Sequence, residues 1–386
     1  MTSSCYVAQG GALIPINDLR RPPLNTSRQR EELDVTAQVA SSGWYFNGPF
    51  SRSFEADLAA FVGVPHVVGV ASGTDALTLA LGAMGIGEGR VVATVANAGY
   101  YSSLACRRVG ARPRYVDVDL TTACMSPEGL DEALATSDVD AVIVTHLYGR
   151  MASVERIAEL CQERGVPLIE DCAQSLGARR SGRMAGSYGD LAAFSFYPTK
   201  NLGAMGDAGA VAASTPELEA RVRQLAQYGW SAKYEVVIPA GMNSRLDEMQ
   251  AAILGVRLGD VEMENRRRSQ IVRHYARQLE NSPASIFHTP DSDFVGHLAV
   301  VLTPHRDRVR RELLAAGIAT EIHYPIPDYR QPVQQAEFQD FGLPVTERLA
   351  AGILTVPCFP TMSEPEIEKV GSAVARAVQD SALKGT

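Results

Sequence analysis

The sequence predicts an α/β protein with two parts: a large domain built on a mostly parallel sheet with helices on both faces, and a smaller C-terminal α/β domain. Three observations predict it. From about residue 54 to 215, short β-branched runs alternate with stretches of helical period, the pattern of strands joined through crossover helices. Several of those runs are apolar throughout, as strands covered on both faces must be. After Asn243 long Arg- and Glu-rich helical segments take over, followed by a second, shorter alternation, so the boundary is placed near residue 255, giving domains 1–255 and 256–386.

Taken in order, residues 1–50 contain Pro15, Pro22 and Pro23 and few periodic runs, and are expected to form an arm draped over another element or chain. Strands are expected at His66–Val70, Arg90–Val95, Pro113–Val118, Val139–Thr145, Val166–Glu170, Asp190–Phe196 and Gly209–Ala213. Helices between them carry start signals: Ser126-Pro127-Glu128, Ser153 with Glu155 in the first turn, and Thr215-Pro216-Glu217. Leu246–Leu279 reads as one or two long helices. A strand near His297–Leu302, a helix from Arg306 to Ala316, a strand ending at His323 and a last helix from Glu364 complete the smaller domain.

With 386 residues, 46% of them apolar, 21% charged and 7% aromatic, the chain has the composition of a folded soluble protein rather than a disordered or fibrous one. A formal charge of -8 repels a phosphate backbone, which argues against nucleic acid as a partner. No stretch approaches the ~18 consecutive apolar residues of a membrane span, and Met1–Pro15 lacks the basic flank of a secretory signal, so no membrane partner and a cytoplasmic location are expected. Cys5, Cys106, Cys124, Cys161, Cys172 and Cys358 form no C-x-x-C pair and are read as small buried hydrophobes. The seven histidines show neither H-E-x-x-H nor paired spacing, so no metal site is expected.

The chemistry-bearing residues cluster at strand ends. Asp171 follows the strand Val166–Glu170, and the carboxyl ends of parallel strands form the ligand crevice of such sheets, although an isolated Asp there is more often a cap or loop carboxylate. Lys200 lies just beyond the next strand. It is one of only four lysines, the others being Lys233, Lys369 and Lys384, and it sits between an apolar strand and a Gly-rich turn where a solvated lysine is out of place. Partial burial lowers a lysine pKa from its free value of about 10.4 and makes a Schiff-base amine; a snorkelling structural lysine is the plainer alternative. Ala71-Ser72-Gly73-Thr74-Asp75 leads from a strand into a helix, where free amides and the helix dipole suit an anion, and Ser195 can add a hydroxyl. An anion anchor, an amine and a carboxylate on one crevice match the needs of pyridoxal 5′-phosphate.

The runs Ser72-Gly73-Thr74-Asp75-Ala76-Leu77, His146-Leu147-Tyr148-Gly149, Glu170-Asp171-Cys172-Ala173-Gln174, Ser195-Phe196-Tyr197-Pro198-Thr199-Lys200-Asn201-Leu202-Gly203, Asn243-Ser244-Arg245-Leu246-Asp247 and His323-Tyr324-Pro325 together resemble the DegT/DnrJ/EryC1/StrS family of sugar aminotransferases, in order and from about Ile14 to the C-terminus. The resemblance implies the fold type I, aspartate-aminotransferase-like architecture and pyridoxal 5′-phosphate as cofactor. It implies that Lys200 forms the imine with the cofactor, that Asp171 pairs with the pyridinium nitrogen, that Gly73, Thr74 and Ser195 bind the phosphate, and that Gln174 lies beside the ring. Asn243 would reach the phosphate of the neighbouring subunit, which makes a homodimer with shared active sites, and His323 and Tyr324 would face the sugar. Where many members carry an aromatic residue stacked on the cofactor, this chain reads Val95-Ala96-Asn97-Ala98-Gly99-Tyr100-Tyr101, with Gly99 at the stacking position. Tyr101 is the first candidate for the stacking ring and Tyr100 the second.

This variant resembles the subgroup that aminates C3 of thymidine-diphosphate-linked ketosugars in antibiotic pathways, with glutamate or a similar amino acid as donor. Amination of a ketocyclitol or of a 4-ketosugar is the nearest alternative, and a non-catalytic, cofactor-binding regulatory protein a remoter one. Dehydratase relatives that carry His in place of the lysine are disfavoured by Lys200. Gly85, Gly87 and Gly89 mimic a dinucleotide fingerprint, but Arg90 occupies the last glycine position and the run follows a helix, so a loop is expected. Arg266, Arg267 and Arg268 read as a solvated helix face, with a substrate diphosphate as the alternative contact.

Overall fold

The computed structural model describes residues 13–136, 138–339 and 341–383; Cys5 and Lys384, read above from the sequence, lie outside them. The large sheet has seven strands: β1 (His66–Val70), β2 (Val91–Thr94), β3 (Arg112–Tyr115), β4 (Ala141–Thr145), β5 (Leu168–Asp171), β6 (Leu191–Ser195) and β7 (Gly209–Ala213). Their order is β1-β7-β6-β5-β4-β2-β3. Strands β6, β5, β4, β2 and β3 pair in parallel, while β7 is antiparallel to both β1 and β6. β4, β5 and β7 are buried at every residue; β4 and β7 accordingly read as nearly continuous apolar runs, while β5 ends in the buried acids Glu170 and Asp171.

Helices cover both faces: α1 (Arg28–Ser42), α2 (Pro49–Val62), α3 (Gly73–Ala83), α4 (Tyr101–Arg108), α5 (Pro127–Thr136), α6 (Val154–Arg164), α7 (Pro216–Ala226) and α8 (Glu248–Leu258). The expected start signals do the capping at two of them. Ser126 Oγ accepts from Gly129 N at 3.1 Å, and Thr215 accepts from Leu218 N ahead of Pro216. At α6, Ser153 holds the N-cap position without a side-chain cap bond. The predicted long helical region breaks at Gly259–Asp260 into α8 and α9 (Val261–Gln278).

Beyond α9 lie α10 (Arg306–Ala315), α11 (Pro344–Gly352), α12 (Glu364–Leu383) and an antiparallel sheet of β8 (Ser285–Ile286), β9 (Ala299–Leu302) and β10 (Ile353–Val356). Ile271, Val272 and Tyr275 of α9 pack with Val301, Leu313, Leu354, Val370 and Val374 in a core of their own. Ile14 joins this core, because its backbone brackets Ile318 through hydrogen bonds with Gly317 O and Ala319 N, both 2.9 Å. Arg21 ties the same N-terminal segment to Glu366 of α12 at 2.6 Å.

Two expectations are corrected here. The segment ending at His323 is not a strand: Ile318 bridges Ile14 and Glu321 bridges Thr355 of β10 with no ladder between them, and the third strand of the small sheet is β10 itself. The arginine run is not one solvated face either. Arg266 is exposed and Arg267 is half-buried against Glu364, but Arg268 is only 4% exposed, with Nη1 donating to Cys358 O at 3.0 Å. Three consecutive helical residues span most of a turn, so one of them must face inward. Cys106, Cys124, Cys161, Cys172 and Cys358 are free and buried, and among the described residues no helix is long and apolar enough to cross a membrane.

Candidate active site

Strand register gathers the site at one edge of the sheet. Thr145 at the end of β4 lies opposite Asp171 at the end of β5, and Gly209 of β7 lies between Val70 of β1 and Ser195 of β6. The carboxyl ends of β1, β4, β5 and β6, with the start of antiparallel β7, open into a cavity of about 530 Å³ lined by Gly73, Thr74, Tyr101, Asp171, Gln174, Ser195, Lys200, His323 and Tyr324. Nine of the eleven residues singled out from the sequence therefore share one cavity.

Its anion end is built by close backbone approach. Ser72 caps α3, its hydroxyl accepting from Asp75 N at 3.1 Å, which leaves the next amides of the first turn aimed outward. A Cβ on Gly73 would stand 2.6 Å from Ser195 Cβ, so only glycine lets the helix start touch the end of β6. Amides at a helix start with the Thr74 and Ser195 hydroxyls beside them form a cradle for a dianionic group such as a phosphate.

Asp171 is 5% exposed. It accepts from Ala173 N at 3.1 Å and from Thr145 Oγ1 at 3.4 Å, and burial pushes its carboxyl pKa up, with those donors and the Lys200 charge acting the other way. No salt bridge reaches it among the described residues, so it is a buried acid prepared for a cationic hydrogen-bond donor. Beneath it, Glu170 takes backbone N–H bonds from Gly186, Tyr188 and Gly189, and faces His146 Nε2 at 3.0 Å. Burial alone would raise the Glu170 pKa, but His146 and these amides hold it below the ordinary value. His146, Glu170 and Cys172 lie close enough to hold a metal ion. The His146 Nδ1 accepts from Ala152 N at 3.1 Å, however, so both ring nitrogens are already engaged and the cluster braces the end of β5.

Lys200 follows β6 in a turn closed by its own amide to Tyr197 O at 2.8 Å. Burial lowers its pKa to about 8, with Asp171 opposing. A pKa near 8 leaves about a tenth of the amine unprotonated at pH 7, far more than a lysine at its free value of about 10.4, which suits a nucleophile and proton carrier.

The opposite wall is a hydrogen-bonded lattice. Gln174 Oε1 accepts from Tyr148 N at 2.7 Å and Gln174 Nε2 donates to Tyr324 OH at 3.1 Å, while the Tyr148 hydroxyl donates to His323 O. His323 Nδ1 meets Thr355 Oγ1 at 2.9 Å. Tyr101 is 48% exposed and stands edge-on to Tyr324, with ring centroids 6.3 Å apart. A Cβ on Gly99 would come within 2.7 Å of Tyr324 and 3.0 Å of Tyr101, so the two rings fill the space around the glycine.

Two of the eleven residues lie elsewhere. Tyr100 is not a lining residue; its amide donates to Asp328 at 2.9 Å, and the residue adopts a φ of 72° that turns it away from Tyr101. Asn243 is exposed and does not line its own chain's cavity, while its neighbour Ser244 donates to Asp75 of α3 at 2.9 Å. Conversely, His297, Thr145, Asp207 and Glu321 line the cavity and were not singled out from the sequence. Thr145 could have been found as the end of an apolar strand. His297 carries no local signal, since what makes it notable is a bond to Asn201.

Residues 26–375 match the model of the DegT/DnrJ/EryC1/StrS aminotransferase family. The chain is 41% identical over 349 residues to the dTDP-3-amino-3,4,6-trideoxy-alpha-D-glucose transaminase of Streptomyces venezuelae, covering 89% of this chain and 92% of that protein. It is 39% identical to the dTDP-3-amino-3,6-dideoxy-alpha-D-galactopyranose transaminase of Aneurinibacillus thermoaerophilus, over 94% and 99% of the two chains. Its fold superposes on the crystal structure of S. venezuelae DesV in complex with ketimine intermediate with a TM-score of 0.91 at 38% identity, covering 96% of this chain and 99% of that one. The chain belongs to the DegT/DnrJ/EryC1/StrS family of pyridoxal phosphate-dependent aminotransferases.

Proposed function

We propose that this enzyme transfers an amino group from glutamate, or a similar amino acid, to C3 of a nucleotide-linked ketosugar, dTDP being the expected nucleotide, and that it acts as a homodimer with shared active sites. The observation that carries the catalytic reading is the placement of Lys200, Asp171 and the Gly73–Thr74–Ser195 cradle on one cavity. The choice of C3 is supported by the relatives at 41% and 39% identity, both of which are 3-amino-sugar transaminases by name.

The residues fit the cofactor. Glycine at 73 brings the first amides of α3 beside the Ser195 hydroxyl to form one anion cradle, and the buried Asp171, without an ion pair among the described residues, suits a protonated ring nitrogen. Pyridoxal phosphate, when bound, supplies the electron sink for the pair left when a C–H bond of the amino donor breaks. Lys200 then moves the proton: its amine takes it from the donor carbon and returns it on the product side. Asp171, at the end of β5, would hold a proton on the cofactor's ring nitrogen by its negative charge. Gln174 fixes the Tyr324 hydroxyl as an acceptor of its amide, which leaves the phenol proton free to meet an oxygen of the sugar. Asn243, exposed and turned away from its own cavity, is assigned to the partner's phosphate.

Two measurements test the reading. Borohydride should fix the cofactor onto Lys200, and peptide mapping to a different lysine would defeat the assignment. Nucleotide-linked 3-keto- and 4-ketosugars and a ketocyclitol, each offered with glutamate, should give amination of the 3-ketosugar fastest by mass spectrometry; faster turnover of either competitor would replace the substrate reading.

A further inference from the structure

We propose that His297 is a hydrogen-bond acceptor for the Lys200 amine, an imidazole locked with its proton on Nδ1 and its Nε2 lone pair given to the cavity that both residues line. The inference rests on the reading of Lys200 as the reacting amine.

The tautomer follows from a chain of amides. Asn201 Nδ2 donates to Asn265 Oδ1 at 2.6 Å and to Val295 O at 3.2 Å, and Asn265 Nδ2 donates to Leu176 O at 2.9 Å. The two main-chain carbonyls can only accept, so both amides are fixed in orientation. Asn201 Oδ1 therefore faces His297 Nδ1, 2.8 Å away, and that nitrogen must carry the proton. A neutral imidazole with Nδ1–H has a lone pair on Nε2, and among the described residues no protein group hydrogen-bonds to it.

The ring is also kept neutral. His297 is 6% exposed and, among the described residues, makes no salt bridge with a carboxylate. Burial, and then the charged or chargeable groups that face it, Lys200, Arg268 and His323, push its pKa well below the ordinary value. Its backbone is clamped as firmly as its side chain. Gly149, at φ 95°, closes the His-Leu-Tyr-Gly run, and a Cβ there would meet His297 N at 2.6 Å; a Cβ on Gly296 would meet the Arg268 carbonyl carbon at 2.9 Å. Asn201, which grips the imidazole, is the residue after Lys200. The lysine and its acceptor are thus held by one turn, and the role assigned to Gly149 is to make room for the His297 main chain.

A neutral acceptor beside Lys200 stabilises the ammonium without adding a second positive charge, so it opposes the desolvation that lowers the lysine pKa. The tautomer is read by nitrogen NMR of holoenzyme labelled with ¹⁵N-histidine, with His297→Gln to assign the signal. The expected pattern is a neutral ring protonated at Nδ1 and unchanged from about pH 5.5 to 8.5, since an unperturbed histidine titrates near 6.5. A ring protonated at Nε2, or one that titrates in that window, would overturn the proposal. Because turnover plays no part, this outcome is separate from any failure of the substrate reading.

The pairing is read on protein loaded with pyridoxamine 5′-phosphate, in which Lys200 is a free amine, by competitive acetylation with acetic anhydride against pH and peptide mapping. His297→Phe should lower the Lys200 midpoint by about one pH unit, a tenfold change in its proton affinity, and His297→Gln, which offers an amide oxygen, should restore most of it. A Lys200 midpoint that does not move in His297→Phe would overturn the pairing even with the expected tautomer. Should His297→Phe fail to fold, the wild-type and His297→Gln spectra still decide the tautomer.

Discussion

Replacing Gly73 with alanine tests whether the cradle holds an anion. The new Cβ would lie 2.6 Å from Ser195 Cβ and 3.1 Å from both Ser195 Cα and Oγ, against an ordinary contact of 3.4–4 Å. One of those atoms is backbone, so a rotamer change cannot relieve the clash, and the start of α3 must part from the end of β6 by something on the order of 1 Å. An anion held from both sides then loses one side: a hydrogen bond of about 2.9 Å stretched by that amount is past 3.5 Å and weak. Losing one or two bonds to a charged group costs roughly 1.5–3 kcal/mol, or about 10- to 150-fold in the dissociation constant of pyridoxal phosphate. The assay is reconstitution of cofactor-free protein followed by absorbance, with thermal melting of the cofactor-free form beside it. Gly255→Ala is the control, because no atom lies within 4 Å of a Cβ there and helix α8 should gain about 0.5–1 kcal/mol. Cofactor affinity within twofold of wild type in Gly73→Ala would refute the cradle, whatever the melting temperature did.

Asp171→Asn keeps the shape and removes the charge proposed to hold the ring nitrogen protonated, so cofactor should still bind while both half-reactions slow by orders of magnitude; stopped-flow rates equal to wild type would return Asp171 to the role of a loop cap. Arg21 holds the Glu366 carboxyl down to about 2 from an ordinary 4.5, so this pair adds stability that is complete above about pH 4.5 and lost as pH falls towards 2. Glu366→Gln should flatten that part of the pH dependence of urea unfolding, and an unchanged acid limb would remove the pair from the account. In the proposed homodimer, Asn243→Asp would set a carboxylate against the phosphate of the partner's site, which at about 4 Å repels by several kcal/mol at intermediate dielectric. Mixed dimers of Lys200→Ala and Asn243→Asp chains contain one site with both lesions and one intact, so they should recover about half the wild-type activity if the sites are independent; assembled mixed dimers without activity would show that Asn243 does not act across the interface.

The large sheet was legible because burial on both faces writes itself into composition: in a strand such as Ala141–Thr145 every residue before the terminal threonine is apolar, unlike a surface helix. The elements that were not legible lack that imprint. Helix α1 buries only Glu32 and Val39, and its sequence shows no apolar stripe to set it apart from an arm. Helix α11 runs straight into β10, so the mostly apolar stretch Leu349–Val356 is divided between two structures with only Gly352 to mark the join. The segment before His323 alternates like a strand, yet its partners are split: Ile318 pairs with Ile14 and Glu321 with Thr355, and no continuous ladder forms. Local pattern records what a segment buries, not which neighbour it meets.

The same distinction divides the site. Asp171, Lys200 and Ser195 were legible because each stands at the end of an apolar strand, where a polar residue is conspicuous, and the turn into α3 announces itself by residue type. What escaped was the set of relations between distant positions, and glycines mark them. Gly73, Gly99 and Gly149 each stand for a missing Cβ whose space is taken by a residue far along the chain: Ser195, Tyr324 and the main chain of His297. The sequence shows the glycine but not the occupant. At Gly99 this bears on the chemistry. The volume in which the family resemblance leads one to expect a stacking aromatic is occupied from across the cavity by Tyr324, with Tyr101 edge-on beside it. An aromatic residue at position 99 and the present Tyr324 exclude each other, so glycine at 99 requires the cavity wall to be supplied by the Tyr101–Tyr324 pair. Because Gln174 anchors the Tyr324 hydroxyl and Gln174 in turn holds the Tyr148 amide, that wall is fixed to the end of β5.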